Sequence, residues 1–307
     1  MTKHDFWDLT ARPYTQLKLK MLEEYLQAWA KIFFSIAGRQ GYKNWQEIYY
    51  VDCFAGRGKY HKDGQKNAIS GSPLIALKCA LDFQQNPRYK GVKMNCIFIE
   101  NDKKTAKELE GFCGPYKDLV NYEVRLGDFK DIILEIIEKI NYHPAFFFID
   151  PDGIKELKRE SVEQIVNRKG PTDIFLNYIK GGVERITGLA KKKIPEITNQ
   201  KISAKDIKTI QCLTDFYGLN IFNKLDSTEK ERLKEWTTSL LQSSSLKEIA
   251  VFDMPYLHKS DTIYYLLFAS RKPVAKKVIL SIFKKAKQTT YQGQTRLGIF
   301  DEKEFEL

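Results

Sequence analysis

The most constraining feature of this sequence is a series of short apolar segments that alternate with helix-like segments between residues 47 and 178. The segment "PAFFFIDPDG", residues 144–153, holds an unbroken apolar run, which is typical of a strand buried on both sheet faces. Strands that alternate with helices of this length predict right-handed βαβ units and an open, mostly parallel sheet. The chain has 307 residues, 43% of them hydrophobic, which is enough for one large core.

Apolar periodicity and turn residues place the individual elements of this predicted α/β fold. Amphipathic spacing predicts helices at residues 14–37, 72–84, 103–112, 129–140 and 158–168. Apolar and β-branched runs predict strands at residues 47–54, 94–100, 120–128, 144–153 and 172–178. In the second helix, we predict Ser72 as the N-cap and Pro73 as the first helical residue.

The alternation stops after the fifth strand. Residues 180–247 are polar, lysine-rich and helical in period, and two further strands are predicted at 248–255 and 262–271. The loop between these two strands is too short for a crossover helix, so we predict an antiparallel pair. Five strands, a helical insertion and a final hairpin are the layout of a class I methyltransferase core, a Rossmann-like fold. We therefore predict three divisions of the chain. Residues 1–46 form an N-terminal helical segment that packs on the core, residues 47–179 and 248–307 form the core, and residues 180–247 form the helical insertion.

Charge and cysteine content narrow the class of protein. A net charge of +11 and a pI near 9.2 indicate either a basic, soluble surface or a polyanionic partner such as nucleic acid. The five cysteines are widely spaced and form no CxxC, which argues against disulfides and against a structural metal site. The N-terminus lacks an apolar signal region, and no apolar run approaches the roughly 18 residues of a membrane span. We therefore expect a cytoplasmic protein without a membrane partner.

The first predicted strand leads into a glycine turn. In a doubly wound sheet the ligand lies beyond the carboxyl ends of the strands, so residues at the strand ends are the candidates for a site. Asp52 ends the first strand, and Phe54, Ala55, Gly56 and Gly58 follow it. Glycines in such a turn let the backbone approach a ligand closely. The alternative is a tight turn that contacts no ligand.

The second and third strands also end in acids. Glu100 ends the second strand, where a carboxylate can accept hydrogen bonds from ribose hydroxyls. Its alternative role is a solvated carboxylate at a strand end. Asp128 ends the third strand, where it can meet an adenine amino group, cap the helix that follows, or do both.

The fourth and fifth strands bring Asp150-Pro151 and Asn177-Tyr178 to the same predicted edge. Proline stops the strand and sets the direction of its exit, although Pro-Asp-Gly is also a common turn. Four acids at the ends of four successive strands suit an adenosine ligand with a cationic or zwitterionic tail. The turn lacks the spacing of a phosphate-binding loop, and crowded acids would repel phosphates. We therefore predict S-adenosyl-L-methionine as the cofactor rather than NAD or ATP.

Five segments carry a further signal: "LKLKMLEEYLQAW", "YYVDCFAGRGKY", "GSPLIAL", "FFFIDPDG" and "YYLLFASRKP". Together they resemble the three-Cys-motif partner protein family (TcmP), from about residue 13 to residue 275. The resemblance implies a fold similar to class I S-adenosylmethionine-dependent methyltransferases and a separate three-Cys-motif, iron–sulfur-type protein as the partner. By motif, it assigns Asp52, Gly56 and Gly58 to the cofactor loop and Asp150-Pro151 to the rim of the fourth strand.

The run after the fourth strand departs from a known pattern. Methyltransferases that modify base amines often carry [DNS]-P-P-[YFW] there; the polar residue and a prolyl carbonyl hold the amine, and the aromatic stacks on the flipped base. This chain has Asp150-Pro151-Asp152-Gly153, without the second proline and the aromatic. We predict Asp150 and Pro151 as the catalytic pair and Tyr178 as a replacement aromatic wall. No cysteine follows a proline here, which argues against methylation of cytosine C5.

Two further regions are predicted to meet the substrate. Residues 59–71 form a predicted insertion between the glycine turn and the helix that begins at Ser72, and they bring Tyr60 and His61 near the cofactor edge. We predict that this loop covers the cofactor or contacts the substrate. The segment "KKVILSIFKKAK" would place Lys284 and Lys285 on the polar face of an amphipathic helix, where lysines can contact phosphates. The alternative is a helix face that contacts only solvent.

The sequence thus predicts an S-adenosylmethionine-dependent methyltransferase that acts on nucleic acid or a nucleotide-like substrate and works with a three-Cys-motif partner. The alternative is a non-catalytic protein that binds nucleic acid or the partner and retains a methyltransferase-like fold. The altered run after the fourth strand favours the alternative. The intact Asp52, Gly56, Gly58 and Glu100 favour retained cofactor binding.

Overall fold

A computed structural model describes residues 12–37, 39, 45–60, 68–89, 91–197, 203–255 and 262–288. The strands are β1 (Glu47–Asp52), β2 (Lys59–Tyr60), β3 (Ile69–Ser70), β4 (Lys93–Glu100), β5 (Tyr122–Leu126), β6 (Ala145–Ile149), β7 (Thr172–Tyr178), β8 (Glu248–Pro255) and β9 (Thr262–Ser270). The α-helices are α1 (Pro13–Ile36), α2 (Ser72–Gln84), α3 (Lys103–Cys113), α4 (Phe129–Ile140), α5 (Arg159–Val166), α6 (Lys180–Ile197), α7 (Ala204–Tyr217), α8 (Glu229–Leu241) and α9 (Pro273–Gln288).

Seven of these strands form one sheet in the order β5-β4-β1-β6-β7-β9-β8. The five strands from β1 to β7 in this sheet pair in parallel, whereas β9 runs antiparallel to both β7 and β8. The chain builds outward from β1 to β5 on one side and then crosses to β6 and β7 on the other. This order, with one reversed strand in a C-terminal hairpin, is the Rossmann-like class I methyltransferase layout. The predicted fold class is confirmed.

Helices cover both faces of the sheet because the central strands are apolar on both faces. In β6, Phe146 and Phe148 pack into the cluster beneath α1, α2 and α9, whereas Phe147 and Ile149 pack into the cluster beneath α4 to α8. All five residues of β6 are buried. Since burial of a large apolar side chain contributes about 1.5–3 kcal/mol, this single strand anchors the two layers to each other.

Most element bounds agree with the sequence pattern. The predicted helices at 72–84 and 129–140 and the strand at 172–178 coincide with α2, α4 and β7. The third and fourth strands are shorter than predicted, because the chain leaves the sheet before Gly127 and at Asp150. Residues 180–197 and 203–247 are mostly helical, as predicted, although the proposed division of the chain into segments stays a prediction.

The start of α2 corrects one prediction. Gly71, not Ser72, is the N-cap, and Ser72 and Pro73 occupy the first two helical positions. The Gly71 N–H donates to Gly58 O at 2.8 Å, which closes the short antiparallel pair β2–β3 just before the helix. The Ser72 side chain hydrogen-bonds Asp52, so it is engaged by the neighbouring strand rather than by the first turn of its own helix.

Two further observations concern the described part of the chain. None of its helices combines the length and the apolar character that a membrane crossing needs. The cysteines are free thiols, with Cys212 half-buried and the other four buried.

Candidate cofactor and substrate site

A cavity of about 420 Å³ opens at the carboxyl ends of the parallel strands, within the size range of small-molecule sites (roughly 300–1,000 Å³). Its two sides differ in chemistry. We call one side, where the sequence predicts the cofactor, the cofactor half; it is defined by Phe54, Gly56, Ile99, Glu100, Asp128 and Phe129. We call the other side, where the sequence predicts the substrate, the substrate half; it is defined by Tyr14, Lys18, Asp150, Asn177, Tyr60 and Tyr264.

The glycine turn after β1 forms the floor of the cofactor half. Gly56 and Gly58 have φ angles of 61° and 85°, in the left-handed region that favours glycine. Gly56 lines the cavity. Gly58 instead packs below it, where an added Cβ would lie 2.8 Å from Leu109 Cδ1. Ala55 is buried in the turn, and its N–H donates to Ile99 O at 2.8 Å. The turn is thereby held against the end of β4.

Glu100 is held in a defined orientation at the edge of this turn. Its Oε2 accepts the Gly56 N–H at 3.0 Å, and its Oε1 accepts the Asp102 N–H at 2.8 Å. These two bonds, one to each carboxylate oxygen, hold the side chain against the turn and the start of α3. The side chain is half-buried and lines the cavity, and its predicted contact with ribose stays a prediction.

Asp52 lies beneath the cavity and not on its surface. Its buried carboxylate accepts from the Tyr50 hydroxyl at 3.2 Å and from the Phe54 N–H at 3.4 Å. Burial raises the pKa of Asp52 to about 7; the bond from Ser72 opposes this rise, and the nearby charge of Asp150 adds to it. The structure therefore places Asp52 as a support for the turn, with no cavity contact of its own.

The outer wall of the cofactor half combines polar and apolar groups. Asp128 occupies the N-cap position of α4, but its side chain accepts from Asn101 Nδ2 at 3.1 Å and not from a helix N–H. It is exposed at the rim of the cavity. The Phe54 and Phe129 rings lie 5.1 Å apart, tilted by 47°, and with Ile99 they form an apolar surface suited to a planar ring.

In the substrate half, each carboxylate oxygen of Asp150 contacts another side chain. Asn177 Nδ2 donates to Asp150 Oδ1 at 2.8 Å, and Lys18 of α1 forms an ion pair with Oδ2. The two charged side chains are only 9% and 17% exposed, so the pair is poorly solvated. Sequence reasoning missed Lys18. The available signal was its position on the buried face of α1, between Leu17 and Leu19 and one turn before Leu22.

Asn177 carries an unusual atom for a buried side chain. Its Oδ1 is buried and has no hydrogen-bond partner. The side chain cannot be turned around, because the ionised Asp150 only accepts hydrogen bonds and so requires the amide nitrogen to face it. An unsatisfied buried acceptor typically costs about 1–3 kcal/mol. Buried acceptors without a partner are uncommon in native proteins, and this oxygen has almost no accessible surface of its own.

Aromatic rings from distant parts of the chain line the substrate half. The Tyr14 and Tyr264 rings meet edge to face at 6.1 Å, and the Tyr264 hydroxyl donates to Tyr14 O at 3.2 Å. Lys18 Nζ lies 5.4 Å from the centre of the Tyr264 ring. Tyr60 is half-buried in the wall; burial raises the pKa of its hydroxyl, and the charges of Asp150 and Asp152 raise it further.

Tyr178 does not reach the cavity, contrary to the predicted aromatic wall. Its side chain is buried on the opposite side of β7, where its hydroxyl donates to Glu229 and its ring contacts Phe216 and Trp236. Adjacent residues of a strand point to opposite faces, so the position that brings Asn177 to the cavity turns Tyr178 away from it. The sequence therefore predicted the correct strand end, but it did not predict that Asn177 alone of the two residues lines the cavity.

The remaining predicted site residues do not lie together. Pro151 is buried and lines the cavity beside Asp150. Lys285 pairs with Glu24 at 2.9 Å on the outer surface between α9 and α1, and neither Lys284 nor Lys285 lines the cavity. His61 lies outside the described residues. Their proposed substrate contacts stay predictions.

Charges of both signs line the cavity. The acids are Glu100, Asp128, Asp150, Asp152 and Glu156, and the cations are Arg12, Lys18, Lys130 and Lys155. Because the four cations offset the acids, this edge repels phosphate groups less strongly than the acids at the strand ends alone predict. Among the described residues, no cluster of histidine, cysteine and acidic side chains is arranged to hold a metal ion.

No protein-family model and no curated protein sequence matches this chain. Among solved structures, the chain is similar to protein LPL1258 of Legionella pneumophila, of family DUF519, with a TM-score of 0.52 and 10% sequence identity. That alignment covers 94% of this chain and 96% of the other, so the likeness extends over the whole fold. The comparisons do not show the TcmP family.

Two named methyltransferases are also similar in structure. An O-methyltransferase of Bacillus cereus in complex with SAH has a TM-score of 0.37 and 13% identity, covering 81% of this chain and 80% of that one. A methyltransferase of Geobacter sulfurreducens has a TM-score of 0.37 and 9% identity, covering 81% and 78%. Scores at this level transfer neither an activity nor a ligand to this chain.

Proposed function

We propose that this protein is an S-adenosylmethionine-dependent methyltransferase and that its substrate is a nucleic acid. The observation that carries the proposal is the position of Glu100. Its carboxylate is fixed by the Gly56 and Asp102 N–H groups at the edge of the glycine turn, at the carboxyl end of the strand next to β1. Open α/β sheets bind nucleosides at this edge.

The chemistry of the cofactor half fits S-adenosylmethionine. Glu100 would accept from the ribose hydroxyls, and Asp128 would accept from the adenine amino group at the rim. Phe54 and Phe129 would flank the adenine ring, and the backbone at Gly56 would adjoin the methionyl part. The bound cofactor would supply an electrophilic methyl group on a sulfonium. An acidic wall stabilises such a cationic centre.

The substrate half would orient the group that receives the methyl. Lys18 and Asn177 fix the Asp150 carboxylate, so its remaining lone pairs point in defined directions. Alignment of two reactants can supply much of the rate of such a reaction, which suits a site with rigidly held groups. Arg12, Lys130 and Lys155 at the cavity would contact phosphates, in keeping with the net charge of +11.

Calorimetry with S-adenosylmethionine tests the cofactor half. We expect wild-type protein to bind and Glu100→Gln to bind at least about tenfold more weakly, because the variant loses a charged acceptor for ribose. Glu135→Gln is the matched control, since Glu135 is an exposed acid that pairs with Arg125 outside the cavity. Failure of the wild type to bind, or equal binding by Glu100→Gln, would contradict the proposal. Transfer of a labelled methyl group to DNA, RNA and protein fractions then identifies the substrate class.

A second candidate function is a non-catalytic binding protein that retains this fold. It is favoured by the absence of an aromatic residue after Pro151 and by the engagement of both Asp150 oxygens within the protein. Cofactor binding without methyl transfer to any fraction would support it. The partnership with a three-Cys-motif protein of the iron–sulfur type rests on the sequence resemblance. Co-expression of the two proteins followed by size-exclusion chromatography tests that partnership.

A further inference from the structure

A second cavity, of about 330 Å³, lies among the helices beside the strand-end cavity described above. Its volume is also within the range of small-molecule sites, roughly 300–1,000 Å³. We call it the insertion cavity, because most of its wall comes from α7, the 3₁₀ helix Leu219–Lys224 and α8, and the start of α5 closes it. Its lining combines two aromatic rings with charged side chains: Tyr217, Trp236, Arg159, Lys224, Arg232 and Glu235. None of these six lines the strand-end cavity.

The two cavities are neighbours along the chain. Lys155 and Glu156 line the strand-end cavity, and Arg159, three residues after Glu156, lines the insertion cavity. Three residues span at most about 11 Å, which limits the distance between the Cα atoms of Glu156 and Arg159. The 3₁₀ helix Ile154–Glu156 also packs against α7, whose last residue, Tyr217, lines the insertion cavity. A ligand of a few linked nucleotides is therefore long enough to occupy both cavities.

Arg159 is held in a fixed orientation at the insertion cavity. Its Nε donates to Glu163 at 2.6 Å, and its Nη1 donates to Ser239 Oγ at 2.9 Å and to Tyr217 O at 3.3 Å. Its Nη2 donates to no acceptor among the described residues, and it is not a buried atom, so a ligand can reach it. A guanidinium in this state offers a planar face for a base and N–H donors at its edge.

Two exposed lysines place positive charge at the insertion cavity and between the two cavities. Lys224 lines the insertion cavity and lies 3.3 Å from Glu235, and Lys158, next to Arg159, lies 3.8 Å from Asp215. Surface ion pairs of this kind contribute about 0–1 kcal/mol. A phosphate can therefore replace the carboxylate at either lysine at little cost.

The aromatic wall of the insertion cavity is fixed by its neighbours. Trp236 stacks on Phe216 with the ring centres 5.0 Å apart, and its Nε1 donates to Phe216 O at 2.8 Å. Arg232 is buried and paired with Glu229, so it supports the wall. Tyr217 is half-buried and leaves part of its surface to the cavity. Aromatic rings, a guanidinium and surface lysines together are typical of sites for single-stranded nucleic acid.

We propose that the insertion cavity binds a second nucleotide of a single-stranded nucleic acid whose target nucleotide enters the substrate half. The base of this second nucleotide lies against Arg159 and Tyr217, and Lys224 contacts its phosphate. Lys155 and Lys158 contact the phosphates between the two nucleotides. A base enters such a cavity only when it is unpaired, so the substrate must be single-stranded here. The inference rests on the proposed function, which takes nucleic acid as the substrate, and it adds the strand form and the second subsite.

The first test removes one charge at two positions. Binding of fluorescein-labelled single-stranded decanucleotides, of RNA and of DNA, is followed by fluorescence anisotropy with S-adenosylhomocysteine present. Lys224→Gln should weaken binding about fivefold and lower the slope of log affinity against log salt by about 0.7, because one phosphate contact is lost. Lys230→Gln is the matched control, since Lys230 is exposed nearby on α8 and does not line the cavity. It should stay within about twofold of the wild type, because only a screened, distant charge is lost.

The second test fills the insertion cavity. Ser239→Leu places an uncharged, non-aromatic side chain in the cavity and should weaken binding of the decanucleotides about tenfold, because stacking of one base is lost. Thr238→Leu is the matched control, since Thr238 is the exposed neighbour on the same helix and does not line the cavity. A decanucleotide with 4-thiouracil at every second position should photo-crosslink to Tyr217 or Trp236 in the wild type and in Thr238→Leu. The crosslink should be lost in Ser239→Leu.

The outcomes separate this inference from the proposed function. Equal binding by Ser239→Leu and Thr238→Leu, no crosslink to the insertion cavity, or no binding of any decanucleotide overturns the inference. Adenosine monophosphate that binds the wild type as tightly as the decanucleotides would also overturn it, because the cavity would then serve a free nucleotide. Calorimetry with S-adenosylhomocysteine tests the cofactor half independently. If that ligand does not bind but strand binding depends on Ser239 and Lys224, the methyltransferase proposal fails and the nucleotide site stands.

Discussion

The cofactor half and the substrate half of the cavity are assembled in different ways. The cofactor half consists of residues at or just beyond strand ends, and its central contact joins Glu100 to Gly56, 44 positions away. The substrate half joins Lys18 to Asp150 across 132 positions and Tyr264 to Tyr14 across 250. The difference shows that one half follows from the sheet alone, whereas the other requires α1 and β9 to pack correctly. Changes in α1 should therefore affect the two halves unequally.

The largest expected effect comes from Lys18. In Lys18→Met, Asp150 loses its counter-charge in a poorly solvated place, and breaking such a pair costs roughly 3–5 kcal/mol when fully buried. We expect methyl transfer to fall by about a hundredfold or more as Asp150 is displaced. Binding of S-adenosylmethionine should stay within about twofold, because the cofactor half does not depend on α1. Single-turnover transfer and calorimetry measure the two effects.

Lys20→Met is the control for Lys18→Met, because Lys20 is exposed on the same helix and does not line the cavity. It should leave both measurements unchanged. An equal loss of cofactor affinity and of methyl transfer in Lys18→Met would show that the halves are not separable.

Asp52 tests whether the two halves are coupled, because it lies under the glycine turn and the charge of Asp150 raises its pKa. Its folded-state pKa of about 7 is higher than the unfolded value of about 4, so the native protein binds the additional proton between these values. The free energy of unfolding should therefore fall as pH rises from about 4 to about 7, by on the order of 3 kcal/mol from this group, and be unaffected by it outside that window. Urea unfolding across this range measures the slope.

The contribution of Asp52 is isolated by two variants. Asp52→Asn cannot titrate and should lack this part of the slope, whereas the exposed acid in Asp118→Asn should leave it intact. If the slope persists unchanged in Asp52→Asn, another group is responsible and the assigned environment of Asp52 is wrong.

The smallest expected effect concerns the stability of the glycine turn beneath the cofactor half. Gly58→Ala introduces a Cβ at φ +85°, 2.8 Å from Leu109 Cδ1, and should lower the free energy of unfolding by about 2 kcal/mol. Gly91→Ala has nearly the same φ, +86°, with nothing within 4 Å, so it should show the backbone strain alone, about 1 kcal/mol. Chemical denaturation compares the two. Equal losses would mean that the turn tolerates a side chain against Leu109.

Much of the fold could be predicted from local sequence. The bounds of α2, α4 and β7 follow from apolar periodicity, and the antiparallel final pair follows from the short loop before β9. The turn at Gly56 and the position of Glu100 follow from the rule that parallel strands deliver their ends to one edge. The N-cap of α2 was misplaced by one residue, because the Ser72 hydroxyl is engaged by Asp52, a contact that no local pattern reveals.

Local sequence patterns predict the sheet, its helices and the edge at which strand ends meet, because hydrophobic periodicity and chain connectivity are local properties. The three-dimensional packing sets Asn177, and not Tyr178, towards the cavity, because that orientation depends on how β7 lies between its neighbours. It also decided that Lys18 meets Asp150 and that Tyr14 meets Tyr264. These contacts join residues far apart in the chain, and they form only when α1 and β9 pack on the finished core.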